Sequence, residues 1–250
     1  VSKKDNTCLI TGAAGGIGRA LAKVFVDAGF CVIAIDSVSD PKNICCNHYL
    51  QVDLSKTVYD KNYANNIFDC LSKIIKMNGL SVLINNAAVQ ILGGVDSLTR
   101  ENWQHTLSVN LLAPFIWVQA LLPHIESVCG CIINISSIHA RLTKKNYVAY
   151  ATSKAALSGM TRAMAVDLEA RVRVNAIEPA AIDTDMLKAG FEKSTEAYQQ
   201  LQKFHPMQRI GTPEEVARAA LWLSSSSSAF IHGECLSLDG GISKLLHDPC

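Results

Sequence analysis

Short apolar runs alternate with longer amphipathic ones along this chain, and the alternation predicts its elements. TCLITG (7–12) is an apolar run ending in glycine. Behind it Ile17, Leu21, Val24, Phe25 and Ala28 recur at helical spacing, and Gly29 stands where a helix C-cap falls. FCVIAID (30–36) is a second apolar run, so strand, glycine turn, helix and strand make a βαβ unit of about 30 residues. The theme continues with HYLQVDL (48–54), a polar helical stretch near 57–77 and SVLINNAA (81–88). A long helical stretch over about 99–127, GCIINISS (130–137), a helix across 148–170 and RVRVNAIEPA (171–180) follow. After an irregular segment, a helix at 213–224 precedes GECLSLDGG (233–241). Seven strand-like runs alternating with helices predict an α/β fold, a doubly wound, mostly parallel seven-stranded sheet with helices on both faces. No Pro/Gly/Ser-rich linker divides the chain, so residues 1–250 read as one domain, and SSSSS (224–228) reads as a loop.

Composition narrows the function classes. Hydrophobic residues make up 49% and charged residues 18%, enough apolar material for a core. A net charge of +1 gives no reason to expect a nucleic-acid partner. No apolar run in the sequence approaches the ~20 residues of a membrane span, so no membrane partner is expected. VSKKDNT carries no apolar stretch behind its lysines, so no secretory leader is expected. The nine cysteines include no C-x-x-C and no zinc-finger spacing. Cys8, Cys31 and Cys131 sit in apolar runs and read as small buried hydrophobes, and an odd count fits reduced thiols in a cytoplasm. The seven histidines are scattered, H-E-x-x-H is absent and no metal is expected. No G-x-S-x-G elbow is present, which excludes a serine hydrolase of that type.

The chemistry begins at TGAAGGIG (11–18). Its spacing is neither G-x-G-x-x-G nor a P-loop, yet the physics is shared: a glycine turn leads from a strand into a helix N-terminus whose free N–H groups favour phosphate. Gly12 and Gly16 let the chain turn and approach a ligand, Gly18 lets the helix lie close on the sheet, and a tight turn with no ligand would read the same. Asp36 ends the second strand, where an acidic side chain grips the adenosine ribose hydroxyls; capping the next turn is its other reading. A carboxylate there repels a 2′-phosphate, and Gly15 puts no arginine in the loop to pair one.

YATSK places Tyr150 and Lys154 one turn apart on a helix face. A tyrosine titrates near pH ~10, so taking a proton from an alcohol near neutrality needs a fall of about three pH units, or ~4 kcal/mol. A lysine one turn away and the charge of an oxidised nicotinamide are the means in view. A surface aromatic–lysine pair would have the same spacing.

Taken together, these motifs resemble the short-chain dehydrogenase/reductase family in its single-domain, Rossmann-like form, over nearly the whole length. TGAAGGIG matches T-G-x-x-x-G-x-G, NNAA (85–88) is close to N-N-A-G, and Ser137 stands thirteen residues before Tyr150. NAIEPAAIDT resembles N-x-x-x-P-G-x-x-x-T, and RIGTPEEVA and SLDGG match the last third. The resemblance implies an oxidoreductase acting on a small secondary alcohol or ketone with NAD, preferred over NADP. Tyr150 would be its general acid/base, Lys154 would lower the tyrosine pKa and bind the nicotinamide ribose, and Ser137 would hold the reacting oxygen. Asn110 would support a water-linked proton path. It further implies that Asp53 meets the adenine edge, Asn86 the adenosine ribose side, and Ile182 and Thr184 the carboxamide end. Ile17, Leu54, Ala87 and Pro179 would also line the cofactor. A homotetramer is implied too, and the apolar residues Leu107, Leu111, Phe115, Trp117, Leu157, Met160 and Met164 are more than one sheet face is expected to need. Two alternatives stay open: a 3-oxoacyl-thioester reductase of lipid metabolism, and a non-catalytic dinucleotide-binding regulator.

Some positions depart from the family pattern. Ala88 and Ala180 replace glycines, which would tighten the cofactor channel. The short segment from Ser37 to Asn47 leaves no room for the usual helix between the second and third strands. Residues 183–210 are expected to form a lid over the substrate, with Met186, Leu187, Phe191, Tyr198, Leu201, Phe204 and Met207 either walling an apolar pocket or seating the lid. Arg141, Lys144 and Lys145 either draw an anionic substrate or form a solvated basic loop. Pro114 cannot donate to the carbonyl of Asn110, so a kink is expected at 110–114.

Overall fold

The computed structural model describes residues 6–75, 78–191 and 195–246. Seven strands, β1 (Thr7–Thr11), β2 (Cys31–Asp36), β3 (His48–Gln51), β4 (Val82–Asn85), β5 (Cys131–Ile135), β6 (Arg173–Pro179) and β7 (Cys235–Leu238), form one sheet in the order β3-β2-β1-β4-β5-β6-β7. Every pairing is parallel. Alternate residues of each strand enter opposite layers, because the side-chain period of a strand is two. Cys8, Ile10, Val32, Ala34, Val82 and Ile84 join one core cluster, while Leu9, Ile33, Ile35 and Leu83 join the other.

Helices close both faces. α1 (Gly16–Asp27) and, near the other end of the chain, α9 (Pro213–Ser224) cover the first with Leu21, Phe25, Val216 and Leu223. On the second lie α3 (Lys61–Ile75), α5 (Ala113–Glu126) and α6 (Val148–Leu168), contributing Leu71, Trp117, Leu121 and Leu168. Chain order reverses between β1 and β4. In open α/β sheets the crevice outside the strand C-termini at such a point receives the ligand.

The structure departs from the sequence reading in identifiable places. The helix expected near 57–77 is two, α2 (Leu54–Tyr59) and α3, broken at Asp60, whose backbone is extended and whose carboxylate accepts from the Tyr63 N–H; residues 76 and 77 lie outside the described residues. The long helix of 99–127 is α4 (Arg100–Leu107), a π turn (Ser108–Leu112) and α5. The whole stretch Arg100–Glu126 is long and apolar enough to cross a membrane, contrary to the reading of single apolar runs, but half of its most apolar window is packed inside this fold, as a core helix is. The segment read as irregular holds α7 (Asp185–Ala189) and α8 (Thr195–Phe204). Cys8 and Cys131 are buried, but Cys31 is only half-buried. Residues 37–47 contain no helix, as their length implied.

Candidate active site

The first component is the glycine turn. Gly12 has φ +67°, and a Cβ there would lie 2.6 Å from the Ala87 Cα. A Cβ on Gly18 would lie 2.0 Å from the Gly12 carbonyl oxygen. These two glycines are therefore required by packing alone. Gly15 differs: it is exposed, and apart from the Gly12 carbonyl nothing described approaches its Cβ position within 4 Å. It is also the N-cap of α1, which has no side-chain cap and no acidic residue in its first turn. An open, uncapped helix N-terminus fits the pyrophosphate of a dinucleotide. Ile17, in the first turn, packs against the core on the helix's sheet side.

Thr11 holds this turn to the neighbouring strand. Its hydroxyl accepts from the N–H groups of Asn86 (3.1 Å) and Ala87 (3.2 Å). The Asn86 side chain donates to the carbonyls of Thr11 (3.0 Å) and Gly12 (2.9 Å). The Asn86 amide nitrogen is thus engaged by the turn itself. Ala88 and Ala180 are both absent from the left-handed region, so alanine is unstrained at these family glycine positions.

Asp36 ends β2 beside the turn. One carboxylate oxygen accepts from the Ala14 N–H at 2.8 Å and the other from the Val38 N–H at 3.3 Å. Arg19, which the sequence reading passed over, donates from Nε to the Ala14 carbonyl at 2.8 Å and from its guanidinium to the Lys42 carbonyl. Asp53 is exposed, and its carboxylate caps α2 by accepting from the Lys56 N–H; Leu54, the first residue of that helix, is buried. Across the crevice Pro179 ends β6, Ile182 is buried and bridges to Gly211, and the Thr184 hydroxyl caps α7. The Thr184 methyl lies 2.8 Å from where a Cβ on Gly16 would be, so the two walls of the proposed cofactor site meet there.

The reacting end lies between β5 and α6. Ser137 is buried and accepts from the His139 N–H at 3.1 Å. It lies near enough to the Tyr150 phenol to pull that group's pKa down. The Tyr150 ring meets His139 edge-on at 5.7 Å and Tyr147 at 6.1 Å. Lys154 is buried on the same helix and donates to the Ile135 carbonyl at 2.8 Å.

Burial overturns the expected titration of this pair. It pushes the Tyr150 phenol up to about 12, with Ser137 pulling against it. Burial also pushes Lys154 down to about 7. The Lys154 ammonium is 5.8 Å from the Tyr150 ring centre and bonded elsewhere. Within the protein's own groups, then, the lysine does not bring the phenol toward neutrality; desolvation of both outweighs their attraction.

Asn110 sits in the π turn, fully buried. Its side-chain oxygen accepts from the Val89 N–H at 2.8 Å, and its amide donates to the Val89 carbonyl (3.0 Å) and the Ser153 hydroxyl (3.0 Å). It thereby clamps the chain after β4 to α6. The kink expected from Pro114 takes the form of this wider turn, in which the Ala113 N–H reaches back five residues to the Ser108 carbonyl. Among the described residues no three His, Cys, Asp or Glu gather as a metal site.

Comparison with known proteins accords with this geometry. Residues 12–243 match the family profile described as enoyl-(acyl carrier protein) reductase. The NAD-dependent glycerol dehydrogenase of Listeria innocua is 33% identical over 95% of this chain and 93% of its own. The 3-oxoacyl-(acyl-carrier-protein) reductase of Thermotoga maritima is 33% identical over 96% of this chain and 98% of its own. Among solved structures, the aldohexose dehydrogenase of Thermoplasma acidophilum superposes with a TM-score of 0.91 at 33% identity, covering 98% of this chain and 97% of that one.

Proposed function

The chain belongs to the short-chain dehydrogenase/reductase family, and from that premise we propose that it moves a hydride between NAD(H) and a secondary alcohol or its ketone using Tyr150, Ser137, Lys154 and Asn110. It is an oxidoreductase of CH–OH groups. The observation that carries the residue assignment is the placing of Ser137 and Tyr150 on either side of His139, which bonds the first and packs on the second, with a buried lysine one turn behind.

The cofactor would lie along Gly12, Gly15, Gly16 and Gly18, with Asp36 at the ribose and Pro179, Ile182 and Thr184 at the far end. When bound, its nicotinamide ring supplies the hydride acceptor or donor. Ser137 donates a hydrogen bond to the reacting oxygen and steadies its charge. Tyr150 takes the hydroxyl proton in oxidation and returns it in reduction. Lys154, held down at about 7, changes protonation near neutrality and is suited to pass that proton on. The Asn110 turn, tied to α6 through Ser153, fixes where that path leaves the site.

The test is a panel of glycerol, aldohexoses, hydroxy acids, hydroxysteroids and a 3-hydroxyacyl thioester with NAD, followed by nicotinamide absorbance. Saturable turnover of at least one alcohol is expected. Fastest turnover of the thioester would favour the lipid reductase, and no turnover would favour the non-catalytic regulator.

We also propose a homotetramer. Its support is narrower than the sequence implied, because Trp117, Leu157 and Met164 are buried within the chain itself. What remains is exposed apolar surface at Leu112 in the π turn, Phe115 on α5, Trp222 on α9, Val166 on α6 and Phe230. Light scattering at micromolar concentration should give four times the chain mass, and a clean monomer would refute the proposal. Cys8, Cys45, Cys46, Cys70, Cys129, Cys131 and Cys235 are free thiols, in keeping with a reducing compartment such as the cytoplasm.

A further inference from the structure

Arg141 carries an inference that rests on this reading and extends it. The sequence offers Arg141 as an attractor of anionic substrates or as part of a solvated loop. Its side chain remains 46% exposed, yet its guanidinium reaches a buried acid. It lies 2.8 Å from Oε2 of Glu178, whose side chain is 1% exposed, and donates to the Ser237 hydroxyl at 2.5 Å. Glu178 and Ser237 are register partners on β6 and β7, so one guanidinium spans the two strands.

Glu178 is the hub of a buried polar chain. Its Oε1 accepts from Ser158 at 2.8 Å; Ser158 meets the Ser136 hydroxyl at 2.8 Å; and Ser136 donates to the Lys154 carbonyl at 3.0 Å. Oε2 is buried without a donor aimed along a hydrogen-bond line, so the Arg141 charge is what compensates it. A buried carboxylate that loses its cation is strongly unfavourable. The loop is therefore tied down by the charge of a buried carboxylate.

Arg141 closes a short 3₁₀ turn, Ile138–Ala140, for which Ser137 is the N-cap. The Arg141 N–H bonds the Ile138 carbonyl, and the His139 N–H bonds the Ser137 hydroxyl. Pinning the end of the turn fixes the bond that orients Ser137 Oγ. We propose that Arg141, through its ion pair with Glu178, is a positioning residue for Ser137, setting its hydroxyl against the Tyr150 phenol. The Glu178 chain extends the same constraint to α6 through Ser158 and the Lys154 carbonyl.

Arg141→Met leaves Glu178 buried and unpaired, and that variant alone could lose activity by failing to fold. Arg141→Met/Glu178→Gln removes the cation and the charge it compensates, so it separates stability from positioning. The double variant is expected to melt within about 3 °C of wild type. Its kcat on the panel alcohol turned over fastest is expected to fall about 30-fold, because a misplacement near 1 Å is costly to catalysis. KM for NAD should change less than about twofold, since the glycine turn and Asp36 are untouched. In hydrogen exchange, the amides of 138–142 should open at least about tenfold faster than in wild type. A double variant that regains wild-type kcat along with its stability would make the pair merely structural and overturn the proposal, as would unchanged exchange across 138–142. If the wild-type protein oxidises nothing in the panel, the hydride reading falls, and the exchange measurement still decides the latch.

Discussion

Replacing Tyr150 by Phe is expected to lower kcat/KM by at least about a thousandfold, the upper range for loss of a general acid/base, while the Kd for NADH stays within about threefold. The phenol oxygen is all that the substitution removes. The ring's contacts with His139 and Tyr147 are made by its carbon frame and survive, so the wall of the site keeps its shape. Ser137 keeps the His139 N–H that orients it. The other nearby bases are poorly suited. Lys154 titrates at about 7, but its nitrogen is held on the Ile135 carbonyl. Burial and the Lys144 charge push His139 down to about 4, which leaves it a weak base. Steady-state kinetics and NADH fluorescence titration together make the measurement. Activity within tenfold of wild type would remove Tyr150 from the acid/base role.

The second large effect concerns the ribose end. Wild-type kcat/KM is expected to favour NAD over its 2′-phosphorylated form by about a hundredfold, which corresponds to ~2.7 kcal/mol. A 2′-phosphate would meet the Asp36 carboxylate, and facing like charges cost on the order of several kcal/mol. Asp36 and Arg19 shape this corner with opposite charges. They act on the Tyr49 phenol in opposite directions, Asp36 raising its pKa and Arg19 lowering it, with burial the larger cause. Removing the carboxylate would leave Arg19 unopposed. Asp36→Ala with Ser37→Arg should therefore reverse the preference. It should also weaken NAD about tenfold, because the Ala14 N–H loses its acceptor. Equal or better turnover of the phosphorylated cofactor by the wild-type protein would contradict the assignment of Asp36.

The parts legible in the sequence were those whose chemistry is written in short spacings. The glycine turn, Asp36 at the end of β2 and the Tyr150–Lys154 turn each need residues within one βα unit or one helix turn. The alternation of apolar residues gave the strands because each strand feeds two cores, so nearly every position had to be apolar.

What could not be read depends on residues far apart or on burial. Arg19 reaches the Lys42 carbonyl 23 residues away, and no local pattern announces that contact. The helices α7 and α8 are joined through Asp183, which pairs with Lys188 on the first and accepts from Tyr198 on the second, contacts that lie outside either helix's own periodicity. Asp60 breaks a continuous helical pattern by capping the next helix with its own carboxylate. The titration of Tyr150 ran opposite to expectation for a related reason. Spacing showed that a lysine was near, but only the fold shows that both groups are desolvated and that the ammonium is bonded to Ile135.

The central claim is direct hydride transfer from a carbinol carbon, and isotope transfer tests it most directly. The panel alcohol turned over fastest would be prepared with deuterium on its carbinol carbon and incubated with NAD and the wild-type protein. Mass spectrometry of the nicotinamide product is expected to show one deuterium retained per turnover, with Tyr150→Phe giving no labelled product on the same time scale. Unlabelled product with deuterium released to solvent, or no reduced nicotinamide from any alcohol in the panel, would contradict the account.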